Sequence, residues 1–187
     1  MMFICLNDCI AQGCTVSCGM PCKLVNKAFC GAWRVFLEKY VVSSEPQTLM
    51  VGDIFDFDIH MRWSDADALA HLNNCNYFRY MEEGRLKMFY EGGAPQSTRY
   101  GPVVVHCECD FKKSITYPAT VRVSHRVTRI GRSSLEQSVD MSVVYPDRLE
   151  LCAQGKSIMV WMDFELNQSH PWPAEVLQAL AKPINRR

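Results

Sequence analysis

Alternation of apolar and polar residues, broken by one helical segment, constrains the fold of this chain most. In residues 54–63, IFDFDIHMRW, an apolar residue occupies every second position from Phe55 to Trp63, and polar residues occupy the positions between them. A period of two is typical of a β-strand that buries one face. We therefore predict a first strand over residues 54–63, with its aromatic and aliphatic side chains in the core.

A different period follows this strand. From Tyr77 to Met88 the inward-facing positions recur at spacings of four, three and four residues. This spacing predicts a helix over about residues 75–90 with one apolar stripe. Asn73 or Asn74 is the expected N-cap, because a side-chain carbonyl at that position can accept a hydrogen bond from a free first-turn N–H.

Four further alternating segments complete the predicted fold. They cover residues 102–112, 119–130, 133–145 and 151–164, and PAEVLQALAK at 173–182 is a candidate closing helix. Within the first of them, one buried face is expected to hold Val103, Val105, Cys107, Cys109 and Phe111. The order predicts an α+β class in which an antiparallel β-sheet wraps one long central helix. Gly84 lies in the middle of that helix, where it indicates close packing against the sheet.

Charge and hydropathy exclude two classes of partner. The 20 basic residues balance the 20 acidic ones, and they are scattered, so the chain lacks the positive field that polyanions require. No stretch of about 18 apolar residues is free of charges, as a membrane-spanning helix would need. We expect no nucleic acid and no membrane partner.

The first 50 residues differ from the rest in composition. Six of the ten cysteines fall within the first 30 residues. The rest of the chain should form a hydrophobic core without disulfides. We therefore expect reduced thiols and a cytoplasmic protein. Residues 1–50 are expected to be a poorly ordered extension or a misassigned start, and residues 51–187 are expected to form one folded domain. Residues 28–40 are a candidate short helix within the extension. Structural zinc is the alternative, although no C-x2-C pair and no histidine precede His60.

A dense polar motif stands between the first strand and the helix. Residues 62–85 read RWSDADALAHLNNCNYFRYMEEGR, and GPVVV, IGRSS, VWMDF and HPWP follow in the later segments. Together they resemble the hotdog-fold acyl-CoA thioesterases of the 4-hydroxybenzoyl-CoA thioesterase type over about residues 54–180. The resemblance implies a hotdog fold, an acyl-CoA substrate, and no metal or other cofactor. The family usually has glycine before His71, where this chain has Ala70, and alanine is strained if that position needs a positive φ.

The same resemblance assigns the two main catalytic roles. It places the catalytic carboxylate at Asp67, the second acid of the D-x-D pair, and the oxyanion donor at the backbone N–H of Asn74. Thioester hydrolysis needs a base or nucleophile near the carbonyl carbon and donors for the oxyanion. A helix N-terminus supplies free N–H groups, and its dipole keeps a nearby carboxylate ionised. A loop-capping aspartate is the alternative for Asp67.

Neighbouring polar residues have less specific expected roles. Asp65 is expected to hold the loop, and Asn73 is expected to cap the helix. His71 is either a hydrogen-bonded structural residue or a catalytic group that orients Asp67 or the acyl chain. Tyr77 is expected in the core, where it could contact substrate by lining an acyl tunnel.

Contacts to coenzyme A are expected in a turn far along the chain. GRSS at 131–134 offers a basic residue and two hydroxyls, and enzymes of the family place coenzyme A contacts around this segment. The candidate phosphate binders are therefore Arg132, Ser133 and Ser134. An ordinary hairpin loop is the alternative.

The predicted function is hydrolysis of an acyl-CoA to a free carboxylic acid and coenzyme A, with Asp67 as nucleophile or general base. The resemblance also implies a homodimer or homotetramer, with Glu82 and Arg85 as candidates for a structural pair near the subunit contact. A non-catalytic acyl-CoA binding module is the main alternative. A metal-assisted hydrolase built on Asp65, Asp67 and His71 is another. The length or aromaticity of the acyl group stays open.

Overall fold

Six strands and two helices make up the part of the chain that the structure describes. The computed structural model describes residues 47–182, so the helix predicted at 28–40 and most of the predicted extension lie outside the described residues. The strands are β1 (Ile54–His60), β2 (Tyr100–Phe111), β3 (Thr120–Ile130), β4 (Ser134–Val144), β5 (Leu149–Asp163) and β6 (Gln168–Ser169). The helices are α1 (Asn74–Glu91) and α2 (Ala174–Leu180).

The strands form one antiparallel sheet in the order β1-β3-β4-β5-β2, and β6 adds to the end of β5. The helix α1 packs on one face of this sheet. The predicted α+β class and the predicted order of one strand, one long helix and four strands are therefore confirmed.

β1 shows both the strength and the limit of the alternation pattern. Its inward residues are buried as predicted: Phe55, Phe57 and Ile59. The prediction for Trp63 is wrong, because the strand ends at His60, which pairs with Thr120, and Trp63 opens a 3-10 turn with 78% of its surface exposed. Apolar alternation continues in the sequence after the pairing with β3 has stopped.

The 18-residue helix α1 begins where the capping rule predicts. Asn73 is its N-cap, and the Oδ1 atom of Asn73 accepts a hydrogen bond from the N–H of Cys75 at 3.0 Å. In the middle of the helix, a Cβ on Gly84 would lie 2.5 Å from Nε2 of His125. Because His125 is fully buried, only glycine fits there, and the predicted close packing is confirmed.

Two apolar clusters fill the core beneath α1, with a polar layer between them. Along β3 one cluster includes Val123 and the other includes Val127, and His125 lies between the two. Gln137 of β4 and Ser157 of β5 pair directly and are also fully buried. The sheet therefore presents polar side chains to the middle of the helix and apolar ones to both ends.

A bulge in β2 changes which of its side chains face the helix. The register against β5 shifts between Val104 and His106. Before the bulge, Val103 pairs with the outward Val160, and the bulged Val105 is 58% exposed, so the prediction that both valines are buried is wrong. The same prediction is wrong for Phe111 at the end of the strand, which is 52% exposed. After the bulge, Cys107 pairs with the buried Ser157 and packs against the core. One extra residue turns the later side chains to the opposite face.

The ends of the described region join the same core. Leu49 is buried, and its N–H donates to the carbonyl of Leu177 in α2 at 3.1 Å. The four cysteines within residues 47–182 are free thiols. No helix in that part of the chain is long and apolar enough to cross a membrane.

Candidate active site

The loop between β1 and α1 is anchored by Asp65. One carboxylate oxygen of Asp65, Oδ2, accepts hydrogen bonds from the Tyr80 hydroxyl at 2.7 Å and from the N–H of Arg62 at 2.9 Å. The carbonyl of Asp65 accepts from the N–H of Asn73 and from the side chain of Asn76, both at 2.9 Å. Burial and the bond to Asp65 raise the pKa of Tyr80, so this phenol stays protonated. Asp65 thus ties the loop to the first two turns of the helix.

Asp67 lies two residues further on, with its carboxylate folded back over the loop. Its Oδ1 atom accepts from the N–H of Leu69 at 2.8 Å and from the N–H of His71 at 3.0 Å. The N–H of Asp67 in turn donates to the carbonyl of His71 at 2.7 Å. Both hydrogen bonds to this carboxylate within residues 47–182 end on Oδ1. The second oxygen, Oδ2, is therefore available to a substrate or a water molecule, and the same side chain caps the loop.

Ala70 has the left-handed backbone that the family's glycine would favour. Its φ is +60°. The N–H of Ala70 donates to the carbonyl of Asp67 at 3.0 Å, and the carbonyl of Ala70 accepts from Tyr117 at 3.4 Å. Hydrogen bonds on both sides hold the conformation. The alanine is consequently strained in the same loop that orients the Asp67 carboxylate.

The start of α1 presents a free N–H beside Asp67. Asn74 is the first residue of the helix and is exposed. The side chain of the N-cap Asn73 accepts a hydrogen bond from the N–H of Cys75. No acceptor within residues 47–182 forms a hydrogen bond with the N–H of Asn74. The positive end of an 18-residue helix stands behind this donor.

One cleft of about 380 Å³ brings these groups together. Its lining consists of Asp67, His71, Leu72, Asn74, Tyr77, Phe111, Lys112, Lys113 and Ser114. Tyr77 is buried and meets the ring of Phe111 edge to face, with centroids 4.9 Å apart. Burial raises the pKa of Tyr77, so it is a neutral wall rather than a base. Four of the predicted site residues, Asp67, His71, Asn74 and Tyr77, therefore share one cleft.

The lining also includes a segment that sequence reasoning missed. Lys112, Lys113 and Ser114 directly follow β2, and the neighbouring Ile115 accepts the N–H of Leu72 at 2.7 Å. The two adjacent lysines at the end of an alternating segment are the feature of the sequence that could have indicated a functional segment there. Nothing local in the sequence shows which loop the end of β2 will meet, because the sheet order decides that.

The predicted coenzyme A contacts lie at the other end of the sheet. The carbonyls of Arg132 and Ser133 accept from the backbone N–H groups of Trp172 at 3.0 Å and Trp161 at 2.8 Å. β3 leads from beside the cleft to this turn, and ten steps at strand spacing are about 30 Å. Within one chain, the structure therefore does not bring Arg132, Ser133 and Ser134 to the Asp67 cleft.

The acidic residues of the loop are not grouped as metal ligands. The Asp65 carboxylate points to Tyr80 and Arg62, away from the partners that Asp67 takes. Within residues 47–182, no three side chains of histidine, cysteine, aspartate or glutamate are arranged to hold a metal ion.

A second groove of about 430 Å³ runs between α1 and β2. Arg85 lines it and is only 8% exposed, and its Nη1 atom has no hydrogen-bond partner within residues 47–182. Burial lowers the pKa of this guanidinium. No ion pair of the described residues joins Arg85 to Glu82, the predicted structural pair. A buried cation that forms no ion pair with a carboxylate among the described residues thus lies next to the edge strand β2.

Comparison with known proteins identifies the family and the fold. Residues 61–180 match the thioesterase-like superfamily. The solved PA2801 protein of Pseudomonas aeruginosa, provisionally described as a thioesterase, is 31% identical over 72% of this chain and 100% of its own, with a TM-score of 0.62. The YsmA protein of Bacillus subtilis is 25% identical over 65% of this chain and 82% of its own. A mutant 4-hydroxybenzoyl CoA thioesterase complexed with 4-hydroxybenzoyl CoA shares the hotdog fold. It is 18% identical over 68% of this chain and 98% of its own, with a TM-score of 0.61.

Proposed function

The chain belongs to the thioesterase-like superfamily, and from that premise we propose that it hydrolyses acyl-CoA thioesters to a free carboxylic acid and coenzyme A. One observation carries the proposal: a carboxylate with a free oxygen, on Asp67, and a free helix-start N–H, on Asn74, line the same cleft. Such a pair supplies the two groups that acyl transfer from sulfur requires.

Each group has a defined task in the proposed reaction. The thioester carbonyl oxygen accepts the N–H of Asn74, where the helix dipole stabilises the negative charge that develops during attack. Oδ2 of Asp67 either attacks the carbonyl carbon, giving a mixed anhydride that water then cleaves, or takes a proton from the attacking water. In both routes the C–S bond breaks, the acid keeps an oxygen from water, and the thiolate of coenzyme A takes up a proton. Rapid-quench mass spectrometry would detect an acylated Asp67 only in the first route.

The loop hydrogen bonds supply the orientation that this chemistry needs. The backbone N–H groups of Leu69 and His71 hold Oδ1 of Asp67, which directs Oδ2 of the same carboxylate. His71 contributes its N–H and carbonyl to this arrangement, and its imidazole lines the cleft. We propose a positioning role for His71. Tyr77 and Phe111 would contact the acyl group as an apolar wall.

The exposed edge of β2 supports a homodimer, alone or as half of a homotetramer. β2 is the last strand of the sheet, and its bulged Val105 is exposed. An unpaired edge is a template for a second strand, and the buried Arg85, whose Nη1 atom has no hydrogen-bond partner within residues 47–182, lies beside it. Antiparallel pairing of two β2 edges would place the turn at 131–134 of the second copy near the Asp67 cleft. That arrangement would let Arg132, Ser133 and Ser134 contact coenzyme A across the subunit boundary. A stable, active monomer in light scattering would contradict it.

The deciding experiment measures thiol release from short, medium, long-chain and aryl acyl-CoAs, with Asp67→Asn beside the wild type. We expect turnover of at least one class without added cofactor, and a loss of at least about a hundredfold in the variant, or about 2.7 kcal/mol of barrier. Asp147→Asn is the matched control, because Asp147 is exposed in a turn and its ion pair within residues 47–182 is with the neighbouring Arg148.

The other outcomes identify the alternatives. Tight binding of an acyl-CoA with no turnover would mean a non-catalytic binding module. Activity that disappears on chelation and returns with one metal would mean a metal-assisted hydrolase. A cytoplasmic location and the boundary of the extension near residue 50 stay predictions.

A further inference from the structure

The Asp67 cleft has a cationic rim that the proposed reaction does not use. The end of β2 brings Lys112 and Lys113 to the cleft, while Asp67 is the only acidic residue among the lining residues that the structure describes. The Asp67 carboxylate already has two backbone donors. The orientation of the Asp67 carboxylate therefore does not depend on either lysine side chain.

The two lysines are held by the same backbone contact but have different surroundings. Their N–H groups both donate to the carbonyl of Cys152, at 2.8 and 2.9 Å. The Nζ atom of Lys113 lies 2.6 Å from Glu150, which raises the pKa of the ammonium group. Lys112 is exposed and forms no ion pair with any residue of 47–182. The charge of Lys113 is compensated, whereas that of Lys112 is not.

We propose that Lys112 binds a phosphate of the coenzyme A portion of the substrate at the mouth of the Asp67 cleft. The inference rests on the proposed function and deepens it by naming the residue that recognises the phosphate-bearing end of coenzyme A. An ammonium on a flexible stem binds phosphate as a point charge. Lys112 is at the exposed rim rather than the floor, so it meets the part of the substrate that stays outside, the nucleotide end.

Because the whole chain carries no net charge, the ammonium group of Lys112 matters more for attracting an anionic substrate. The formal net charge is zero, so no long-range field draws in a highly anionic substrate. Attraction must come from cations beside the cleft, and Lys112 is the uncompensated one among the described lining residues. Binding through it should weaken with added salt, because an exposed charge pair is screened.

The test compares one acyl group on two carriers. Acyl-CoA bears phosphates, and the matching acyl-N-acetylcysteamine has the same thioester without them. For Lys112→Met we expect KM for the acyl-CoA to rise about tenfold, with kcat within twofold, as for loss of a charge-assisted contact. We expect no change in kcat/KM for acyl-N-acetylcysteamine. Lys112→Arg should restore most of the lost affinity.

A matched control and a binding measurement separate this inference from the proposed function. Lys156→Met removes a lysine on the opposite face of the sheet, which pairs with Glu136 at 3.3 Å, and should leave both substrates unaffected. Calorimetry with coenzyme A and dephospho-coenzyme A applies even if no thioester is hydrolysed. Weaker binding of both to Lys112→Met points to the diphosphate, and a loss confined to coenzyme A points to the 3′-phosphate. The inference would be overturned if Lys112→Met lowered kcat/KM equally for acyl-CoA and acyl-N-acetylcysteamine, or if it left the binding of coenzyme A unchanged.

Discussion

Replacing Ala70 with glycine should stabilise the protein. Ala70 holds a φ of +60°, fixed by hydrogen bonds from its own N–H to Asp67 and from Tyr117 to its carbonyl. A non-glycine residue pays about 1–2 kcal/mol to adopt the left-handed region. Glycine avoids this strain but increases the entropy of the unfolded chain, which costs about 0.4–1 kcal/mol. The net gain expected for Ala70→Gly is about 0.5–1 kcal/mol.

This gain is measurable and has an internal control. For a chain of 187 residues, a gain near 1 kcal/mol raises Tm by about 2–4 °C. Urea unfolding should show a higher midpoint with an unchanged slope. Ala68→Gly is the matched control, since Ala68 is exposed in the same loop but does not have a positive φ. It should lose about 0.4–1 kcal/mol, because only the entropy term applies.

Two results would refute the reasoning. A lower midpoint for Ala70→Gly would mean that the φ of this residue carries no strain. An equal gain in Ala68→Gly would mean that the loop tolerates glycine anywhere, for reasons unrelated to backbone conformation. Thiol release should stay within about twofold of wild type, because the hydrogen bonds to the Asp67 carboxylate come from backbone groups that glycine keeps.

Three other predictions concern the core and the loop anchor. Gly84→Ala should cost about 2 kcal/mol in chemical denaturation, because the new Cβ would lie 2.5 Å from the buried His125; an unchanged midpoint would argue against that contact. Burial, aided by the charge of Arg85, lowers the pKa of His125 from 6.5 to about 3. The unfolded chain therefore binds the proton first, and stability should fall as pH drops below 6.5, by about 2 kcal/mol at pH 5; His125→Gln should flatten this dependence in acid unfolding curves. Tyr80→Phe removes the 2.7 Å hydrogen bond to Asp65 and should cost about 2 kcal/mol, yet reduce kcat far less than Asp67→Asn; equal losses of kcat would show that the anchor and the carboxylate act as one unit.

Features that depend on neighbouring residues were predictable from the sequence. The buried face of β1 follows from a period of two, and the two candidate caps, Asn73 and Asn74, placed the start of α1 to within about a residue. The requirement for glycine at Gly84 also has a local signal, because glycine in the middle of a helix is otherwise unfavourable. The motif over residues 62–85, together with the later motifs GPVVV, IGRSS, VWMDF and HPWP, was sufficient to indicate which family the chain belongs to.

Features that depend on pairing between distant segments were not predictable. The exposure of Trp63 follows from where β3 stops pairing with β1, and the exposure of Val105 follows from a bulge against β5. A one-residue shift in register reverses the face of every later side chain, and no single segment records it. The sequence cannot show whether alternation continues past the last ladder hydrogen bond.

The sequence by itself determined the order of elements, the helix cap and the polar residues of the Asp67 loop, since all of these are set within one or two turns or strand repeats. Only the tertiary structure decided that Lys112 meets this loop, that the turn at 131–134 lies at the opposite end of the sheet, and that Arg85 is buried with its Nη1 atom unpaired within residues 47–182. The physical reason is that hydrogen-bond register and strand order join residues that are far apart in the chain, so the composition of the cleft depends on both sides of each pairing.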